Sequence, residues 1–197
     1  MTELVYPVGG IAPMIPPAGA PKAADKLPRD VEIFPVIRED GMVVGRAERD
    51  YCHNGSRLLH PVVHLHIIDR EANIYLQKRS MRKDLLPGRW DTAVGGHIKY
   101  GESVVEALLR ECSEELSLQE FNPIHLMSYR YDTRRDAEYV FVFAAVGHFD
   151  LRPDKDEVDE GRWWTIEQIE KAMGGRRLTP NFVKEFKMIK PSLTALL

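Results

Sequence analysis

Residues 96–118, GHIKYGESVVEALLRECSEELSL, decide the interpretation of this chain because they contain its one convincing helix. The helix is predicted to run from about Glu102 to Leu116. Apolar residues recur there at helical spacing and form one narrow stripe, which predicts a single buried face. The stripe consists of Val105, Leu108, Leu109, Cys112 and Leu116.

The same helix carries three glutamates whose spacing bears on chemistry. Glu111, Glu114 and Glu115 stand at positions i, i+3 and i+4, so their carboxylates share one face. Clustered glutamates on a helix are usually a solvated surface. Like charges this close repel unless a cation lies among them, and Mg²⁺ prefers oxygen ligands that it shares with substrate phosphates. The pattern therefore favours a divalent-cation site, in which Arg110 pairs with Glu106 or steadies the glutamates.

Beyond spacing alone, the segment closely resembles the Nudix box, G-x5-E-x7-R-E-U-x-E-E-x-G-U, in which U is a bulky apolar residue. The matching positions are Gly96, Glu102, Arg110, Glu111, Glu114, Glu115 and Leu118. Cys112 fills the first U position as a small buried hydrophobe. Ser117 replaces the glycine that ends the helix, a departure that bears on loop geometry and not on metal binding.

This resemblance implies an α/β fold, the Nudix-type α/β/α sandwich with a mixed sheet. It implies a diphosphohydrolase (a pyrophosphatase) in which Mg²⁺ or Mn²⁺ activates a water that attacks a phosphorus of a nucleoside-diphosphate-type substrate. By this likeness Glu111, Glu114 and Glu115 ligate the metal, the backbone carbonyl of Gly96 helps, and Arg110 acts beside them.

A second, longer resemblance, to the isopentenyl-diphosphate-isomerase branch of the same superfamily, extends with the box over about residues 31–180. It rests on HPVVHLHIID at 60–69, on LQKRSMRKDLLPGRWD at 76–91 and on the spacing from one histidine to the next. It implies that Arg79 and Lys83 bind diphosphate. It also implies a second site, for Zn²⁺ or Mn²⁺, built from His53, His60, His97, Asp136 and Glu138.

The histidines also have a structural interpretation, in which they only form hydrogen bonds within the sheet and its flanking loop. His64 and His66 alternate with apolar residues and are interpreted as ordinary strand residues on the other face. In the same way, Arg79 and Lys83 could be solvated loop charges, as most such residues are.

One departure separates hydrolysis from isomerisation. The isomerase needs a cysteine two residues before the third histidine, and Gly95 stands at that position. Cys112 lies on the apolar face of the helix and does not replace it. Hydrolysis is therefore the preferred function; a prenyl-diphosphate isomerase and a non-catalytic nucleotide-binding module are the alternatives.

Two features downstream of the helix complete the candidate site. The acidic run at 156–160 lies where many Nudix enzymes keep a loop carboxylate that serves as general base, which makes Glu157 and Glu160 candidates. Trp163 and Trp164 could stack on a base, but core packing is the preferred interpretation.

Composition excludes several classes of protein. The 197 residues carry a net charge of −3, and no run of about 18 apolar residues occurs, which argues against a nucleic-acid or membrane partner. Two cysteines make no disulfide framework, so a cytoplasmic location is expected. The expected partner is a small-molecule diphosphate, and a homodimer is left open.

The chain is predicted to divide at about residue 30. Residues 1–30 hold six of the thirteen prolines, which predicts an extended N-terminal arm, and residues 31–197 are predicted to form the Nudix hydrolase domain. Strands are expected at 31–37, 42–47, 61–68, 73–79, 90–98, 124–131 and 138–147. Further helices are expected at 165–173 and 181–189.

Overall fold

The computed structural model describes residues 31–83 and 85–197, so the predicted arm at 1–30 lies outside the described residues. The described residues form nine strands: β1 (Ile33–Ile37), β2 (Val43–Glu48), β3 (Leu59–Ile68), β4 (Asn73–Arg79), β5 (Trp90–Asp91), β6 (Val94–His97), β7 (Ile124–Asp132), β8 (Ala137–Val146) and β9 (Val158–Thr165). They also form four α-helices: α1 (Arg49–Tyr51), α2 (Val104–Leu116), α3 (Ile166–Ala172) and α4 (Pro180–Thr194). A π-helical turn, Cys52–Ser56, follows α1.

The long strand β3 organises a mixed seven-stranded sheet. It runs parallel to β8 and antiparallel to β4 and β6. The central path is β5-β4-β3-β8-β7, with β9 paired to β4. Strand β3 is buried along almost its whole length, as expected for a central strand covered on both faces. The hairpin β1–β2 forms a separate two-stranded sheet.

Helices cover both faces of this sheet, which confirms the predicted α/β/α sandwich. On one face Leu108, Cys112 and Leu116 of α2 belong to the same buried cluster as Val63 and Leu65 of β3. On the other face, residues of α3 and α4 pack against the sheet in a second cluster, among them Ile169, Phe182, Phe186 and Ile189. Trp164 is buried in this second cluster and Trp163 packs against the first, which confirms the core interpretation of the pair.

The boundaries of α2 follow from its capping residues. The Ser103 side chain accepts a hydrogen bond from the Glu106 backbone, and the Glu106 carboxylate accepts one from the Ser103 backbone in return. At the other end Ser117 adopts φ 53°, the left-handed conformation that glycine usually supplies after a helix. The predicted apolar stripe is wrong at Leu109, which is exposed; Val104 and Ala107 are buried instead.

Three sequence predictions differ from the structure. The single strand predicted at 90–98 is two strands, because β5 pairs with β4 whereas β6 pairs with β3. Strand β9 was not expected, because its charged residues mask the alternation; it pairs with β4 along nearly its whole length. Helix α4 is longer than predicted and continues through Pro191.

The sheet brings distant parts of the sequence to one end. In the parallel pair β3–β8, His60 lies opposite Glu138, and His97 of β6 lies opposite Val62 of β3.

None of the helices formed by the described residues is long and apolar enough to cross a lipid bilayer.

Candidate active site

A cavity of about 660 Å³ opens at this end of the sheet. Its wall includes residues of both proposed metal sites and of the proposed phosphate-binding and general-base sets. These are His53, Arg79, Lys83, Gly96, His97, Glu115, Asp136, Glu138 and Glu157. The structure therefore brings together residues that lie up to about a hundred positions apart in the sequence.

The first candidate metal site forms where α2 faces the end of β6. A Cβ atom on Gly96 would lie 2.0 Å from the Glu111 Cδ atom, so only glycine allows this carboxylate to lie directly against the backbone. Glu115 is buried, and its Oε2 accepts hydrogen bonds from Gln77 Nε2 at 3.0 Å and from the Gly95 N–H at 3.4 Å. Two neighbouring carboxylates in such a place are unfavourable unless a cation joins them.

The pKa values of Glu115 and Glu111 reflect this burial and repulsion. Burial, followed by the charge of Glu111, raises the pKa of the Glu115 carboxyl to about 8. Burial likewise raises the pKa of Glu111, although Arg110 opposes this shift. Without a cation, both side chains therefore favour the protonated form more than an exposed glutamate does. The donor set, carboxylate oxygens packed against the backbone of Gly96, fits a hard divalent ion.

Arg110 holds this arrangement in place. Its guanidinium donates hydrogen bonds to Glu102 Oε1 at 2.6 Å, to Glu111 Oε1 at 2.7 Å and to Glu114 Oε2 at 3.0 Å. It also donates to the carbonyl oxygen of His97 at 2.9 Å, which ties α2 to the end of β6. Of the two alternatives predicted for Arg110, the structure shows the contacts with the glutamates and not the pair with Glu106, because Glu106 is engaged in the N-terminal cap.

The second candidate metal site is a group of three histidines. Side-chain nitrogens of His53, His60 and His97 all lie within 4.8 Å of one another. His60 Nδ1 lies 2.8 Å from the carbonyl oxygen of Leu58 and donates to it, which leaves Nε2 as an acceptor. That Nε2 is buried and has no hydrogen-bond partner in the described part of the chain. A buried, unpartnered imidazole nitrogen among two others fits a metal ligand.

Partners outside the group fix the tautomers of the other two histidines. Asp136 Oδ1 accepts a hydrogen bond from His53 Nδ1 at 2.9 Å, an arrangement that orients a ligating imidazole from behind. Arg49 donates to His97 Nδ1 at 3.3 Å, so the proton of His97 lies on Nε2, which is 3.1 Å from His53 Nε2. An ion held by all three Nε2 atoms would displace this proton, and the Arg49 contact would have to change.

The hairpin β1–β2 covers the histidine group. Phe34 is fully buried and stacks on His97 with ring centroids 4.4 Å apart. Burial lowers the pKa of His60, and burial together with the Arg49 charge lowers the pKa of His97 well below its usual value. Both imidazoles are therefore neutral at pH 7, which is the state that binds metal.

The two acidic residues assigned to this site take different positions. Asp136 contacts His53 Nδ1, behind the ring, as described above. Glu138 lines the cavity but is not part of the three-histidine group. Burial raises the pKa of the Glu138 carboxyl to about 7.

Three of the candidate phosphate-binding and general-base residues line the same cavity. Lys83 is ion-paired with Glu157, and both line the cavity. Arg79 lines it as well, with Nη1 3.6 Å from Asp91 Oδ2. Glu160, expected in an acidic loop, lies instead on β9, where it pairs with Arg162, and it is absent from the described cavity wall.

Among the cavity residues that the sequence did not indicate, Gln77 and His64 have the most informative contacts. Gln77 of β4 holds Glu115, as described above. His64 of β3 was interpreted as an ordinary strand residue, yet it lines the cavity and bonds to Glu185 of α4. The alternation of β3 predicted the face of the sheet on which His64 lies. Nothing local in the sequence indicated that α4 packs on this face and brings Glu185 to His64.

Residues 58–185 match the NUDIX domain, so the chain belongs to the Nudix family. It is 32% identical over 136 residues to an isopentenyl-diphosphate Delta-isomerase of Leifsonia xyli subsp. xyli, covering 65% of this chain and 74% of the relative. It is 28% identical to the Nudix hydrolase YfcD of Salmonella typhi over 68% of this chain and 72% of that protein. The crystal structure of DR0079 from Deinococcus radiodurans superposes with a TM-score of 0.69 at 22% identity, over 80% of this chain and 98% of that chain.

The raised pKa of Glu115 predicts how the stability of the metal-free protein changes with pH. Between 4.5, the ordinary value, and about 8, the folded state keeps a proton that the unfolded state has lost, so the free energy of unfolding falls as pH rises. We expect this group to contribute a loss of roughly 3 to 5 kcal/mol across that window. Denaturant unfolding at several pH values, with a chelator present, measures it.

The Glu115→Gln variant isolates this effect from groups such as Glu138 and His64 that titrate in overlapping ranges. Its free energy of unfolding should depend less steeply on pH than that of the parent. The matched control is Glu120→Gln, at an exposed position, which should keep the parental slope. Equal slopes in the parent and Glu115→Gln would show that the Glu115 carboxyl is not perturbed.

Proposed function

We propose that this chain is a metal-dependent hydrolase that cleaves a diphosphate linkage in a nucleoside-diphosphate-type substrate. The observation that carries the proposal is the buried Glu115 beside Glu111, which packs against Gly96. Gly96 and Glu115 line a cavity whose wall also includes Arg79 and Lys83. Carboxylates packed at this cost of desolvation and repulsion are explained by a divalent ion, and the neighbouring cations suit the phosphates that such an ion binds.

The proposed chemistry assigns a separate role to each set of residues. A divalent ion bound at Glu111, Glu114, Glu115 and the Gly96 carbonyl would polarise the diphosphate and activate water. Arg79 and Lys83 bind phosphate oxygens. When the substrate binds, Lys83 leaves its ion pair with Glu157 and contacts a phosphate instead. Glu157, released in this way, would accept the proton of the attacking water.

The second candidate function is isomerisation of a prenyl diphosphate, favoured by the 32% identity to the Leifsonia enzyme and by the three-histidine group. Two features argue against it. Gly95 has no side chain to act as nucleophile or acid. The described cavity wall is also poorly suited to a hydrocarbon chain, because its aliphatic side chains are limited to Val62, Leu85 and Leu86. A purely binding function is disfavoured by the complete set of box glutamates.

A substrate panel tests the proposal. Nucleoside diphosphates, nucleoside triphosphates, nucleotide sugars and dinucleoside polyphosphates are incubated with the full chain and Mg²⁺ or Mn²⁺, beside an isopentenyl-diphosphate isomerisation assay. We expect release of a phosphate-containing product from at least one nucleotide, its loss with a chelator, and no isomerisation. Robust isomerisation by the unmodified protein, or no turnover of any nucleotide, would refute the proposal.

A further inference from the structure

Glu185 of α4 is a fully buried carboxylate surrounded by hydrogen-bond donors from the sheet. It lies 2.9 Å from His64 Nδ1, 2.6 Å from His66 Nε2 and 2.7 Å from the Tyr129 hydroxyl. A buried carboxylate needs a counter-charge as well as hydrogen bonds. The two histidines alternate along β3 and reach Glu185 together, so one imidazole of the pair can supply that charge.

His64 is the member of this cluster that forms part of the described cavity wall. Its Nδ1 is used by Glu185, whereas its Nε2 faces the space above Gly95. A Cβ atom built on Gly95 would lie 3.5 Å from His64 Nε2 and 3.3 Å from its Cδ2. The absence of a side chain at residue 95 therefore leaves room for another group beside this nitrogen.

The wall of the same cavity also includes Gly95 and Glu115, of which Glu115 belongs to the first candidate metal site. The Gly95 N–H lies 3.4 Å from Glu115 Oε2, so His64 and Glu115 flank one residue of β6. A phosphate that shares a divalent ion with Glu115 would bring its oxygens next to the backbone of Gly95. His64 Nε2 is near the same backbone, 3.5 Å from the position that a Cβ atom of residue 95 would occupy.

We propose that His64 is a further substrate-contacting residue, whose Nε2 donates a hydrogen bond to a phosphate oxygen of the diphosphate above Gly95, and that Glu185 positions the imidazole. This inference rests on the proposed function, since it places the diphosphate beside Glu115. Hydrogen bonding of one ring nitrogen to a buried carboxylate fixes both the ring orientation and the direction of the other nitrogen.

The charge of His64 agrees with a donor role. Burial alone would lower the pKa of His64, but the charge and the hydrogen bond of Glu185 outweigh it and raise the pKa to about 9. Asp91 and Glu138 act in the same direction, while Asp91 itself faces Arg79. At pH 7 the imidazole therefore carries a proton on each nitrogen.

Binding of the magnesium complex of imidodiphosphate, a diphosphate that resists hydrolysis, tests the proposal by calorimetry on the full chain at pH 7. His64→Asn keeps a donor near the Nδ1 position for Glu185 and removes Nε2, so we expect the dissociation constant to rise about tenfold or more. His148→Asn, at an exposed histidine that stacks on Trp163, is the matched control and should bind as the parent does.

A second variant keeps the test decisive if His64→Asn does not fold. Gly95→Ala keeps both His64 and Glu185, requires at most a small shift of the His64 ring, and fills the space beside residue 95, so it should also weaken binding several-fold. Parental affinity in a folded His64→Asn protein, parental affinity in Gly95→Ala, or no binding by the parent would each overturn the inference. Weakened imidodiphosphate binding without hydrolysis of any nucleotide would support this phosphate contact while refuting the proposed hydrolase function.

Discussion

Replacement of Glu115 by Gln is expected to lower the turnover number by about a hundredfold or more, about 3 kcal/mol in activation free energy, while the fold is retained. The amide keeps the shape of the side chain, and it still offers an oxygen to Gln77 Nε2 and the Gly95 N–H. It removes the charge that Glu115 contributes to the candidate metal site beside Glu111. Steady-state kinetics on the best nucleotide of the panel, at saturating Mg²⁺, measure the loss.

Stability must be measured on the same samples. Because burial raises the pKa of Glu115 to about 8, its neutral replacement should leave the metal-free protein as stable as the parent or more so above neutral pH. If the measured stability agrees with this expectation, a loss of turnover is not caused by unfolding. Glu120→Gln should retain parental kinetics. A stable Glu115→Gln protein with most of its activity would show that the box glutamates are not the catalytic site.

Replacement of His60 by Ala is expected to remove nearly all of a tightly bound transition metal from the purified protein. His60 contributes a buried Nε2 without a hydrogen-bond partner in the described part of the chain, within 4.8 Å of nitrogens from His53 and His97. Imidazole ligands favour Zn²⁺ or Mn²⁺ over Mg²⁺. Elemental analysis of parent and variant, after dialysis against metal-free buffer, gives the stoichiometry.

Two further variants complete this comparison. His53→Ala, at a less buried position, should lose the metal as well, whereas His148→Ala should keep it. Metal at trace level in the parent, or equal content in the parent and His60→Ala, would show that the three histidines are joined only by hydrogen bonds and stacking with Phe34. The glutamate site on α2 does not depend on this result.

The sequence predicted those parts of the structure whose causes are local. The spacing of Glu111, Glu114 and Glu115 predicted a shared helix face, and the alternation around His64 predicted its face of β3. The mixed sandwich and the Nudix family were likewise confirmed. The glutamate face and the face of His64 follow the period of a helix and of a strand, so a few neighbouring residues suffice to reveal them. The family was indicated by the resemblance of residues 96–118 to the Nudix box.

The parts that were missed depend on contacts between distant segments. His64 and Glu185 are 121 positions apart, and Arg49 reaches His97 across 48 positions. Neither pair produces a periodic pattern. The segment at 90–98 is divided into two strands for the same reason, because its first part pairs with β4 and its second part pairs with β3.

The contacts of Arg110 depend on a second local contact, the capping box between Ser103 and Glu106. The sequence offered Glu106 as a partner one turn away, but the capping box on Ser103 engages that carboxylate. Arg110 is then available to bridge Glu102, Glu111 and Glu114. Contact with the glutamates was one of the two predicted alternatives, and the capping signal in the sequence favours it over the ion pair with Glu106.

Hydrolysis in water enriched in ¹⁸O tests the central claim most directly. The parent protein is incubated with Mg²⁺ and the panel nucleotide that it turns over fastest, and the products are examined by mass spectrometry. Attack of water on a phosphorus predicts one ¹⁸O atom in a phosphate group of one product, and about a hundredfold less labelled product in the same time when Glu115 is replaced by Gln. Unlabelled products, or a diphosphate recovered intact beside an isomerised prenyl group, would contradict a diphosphohydrolase.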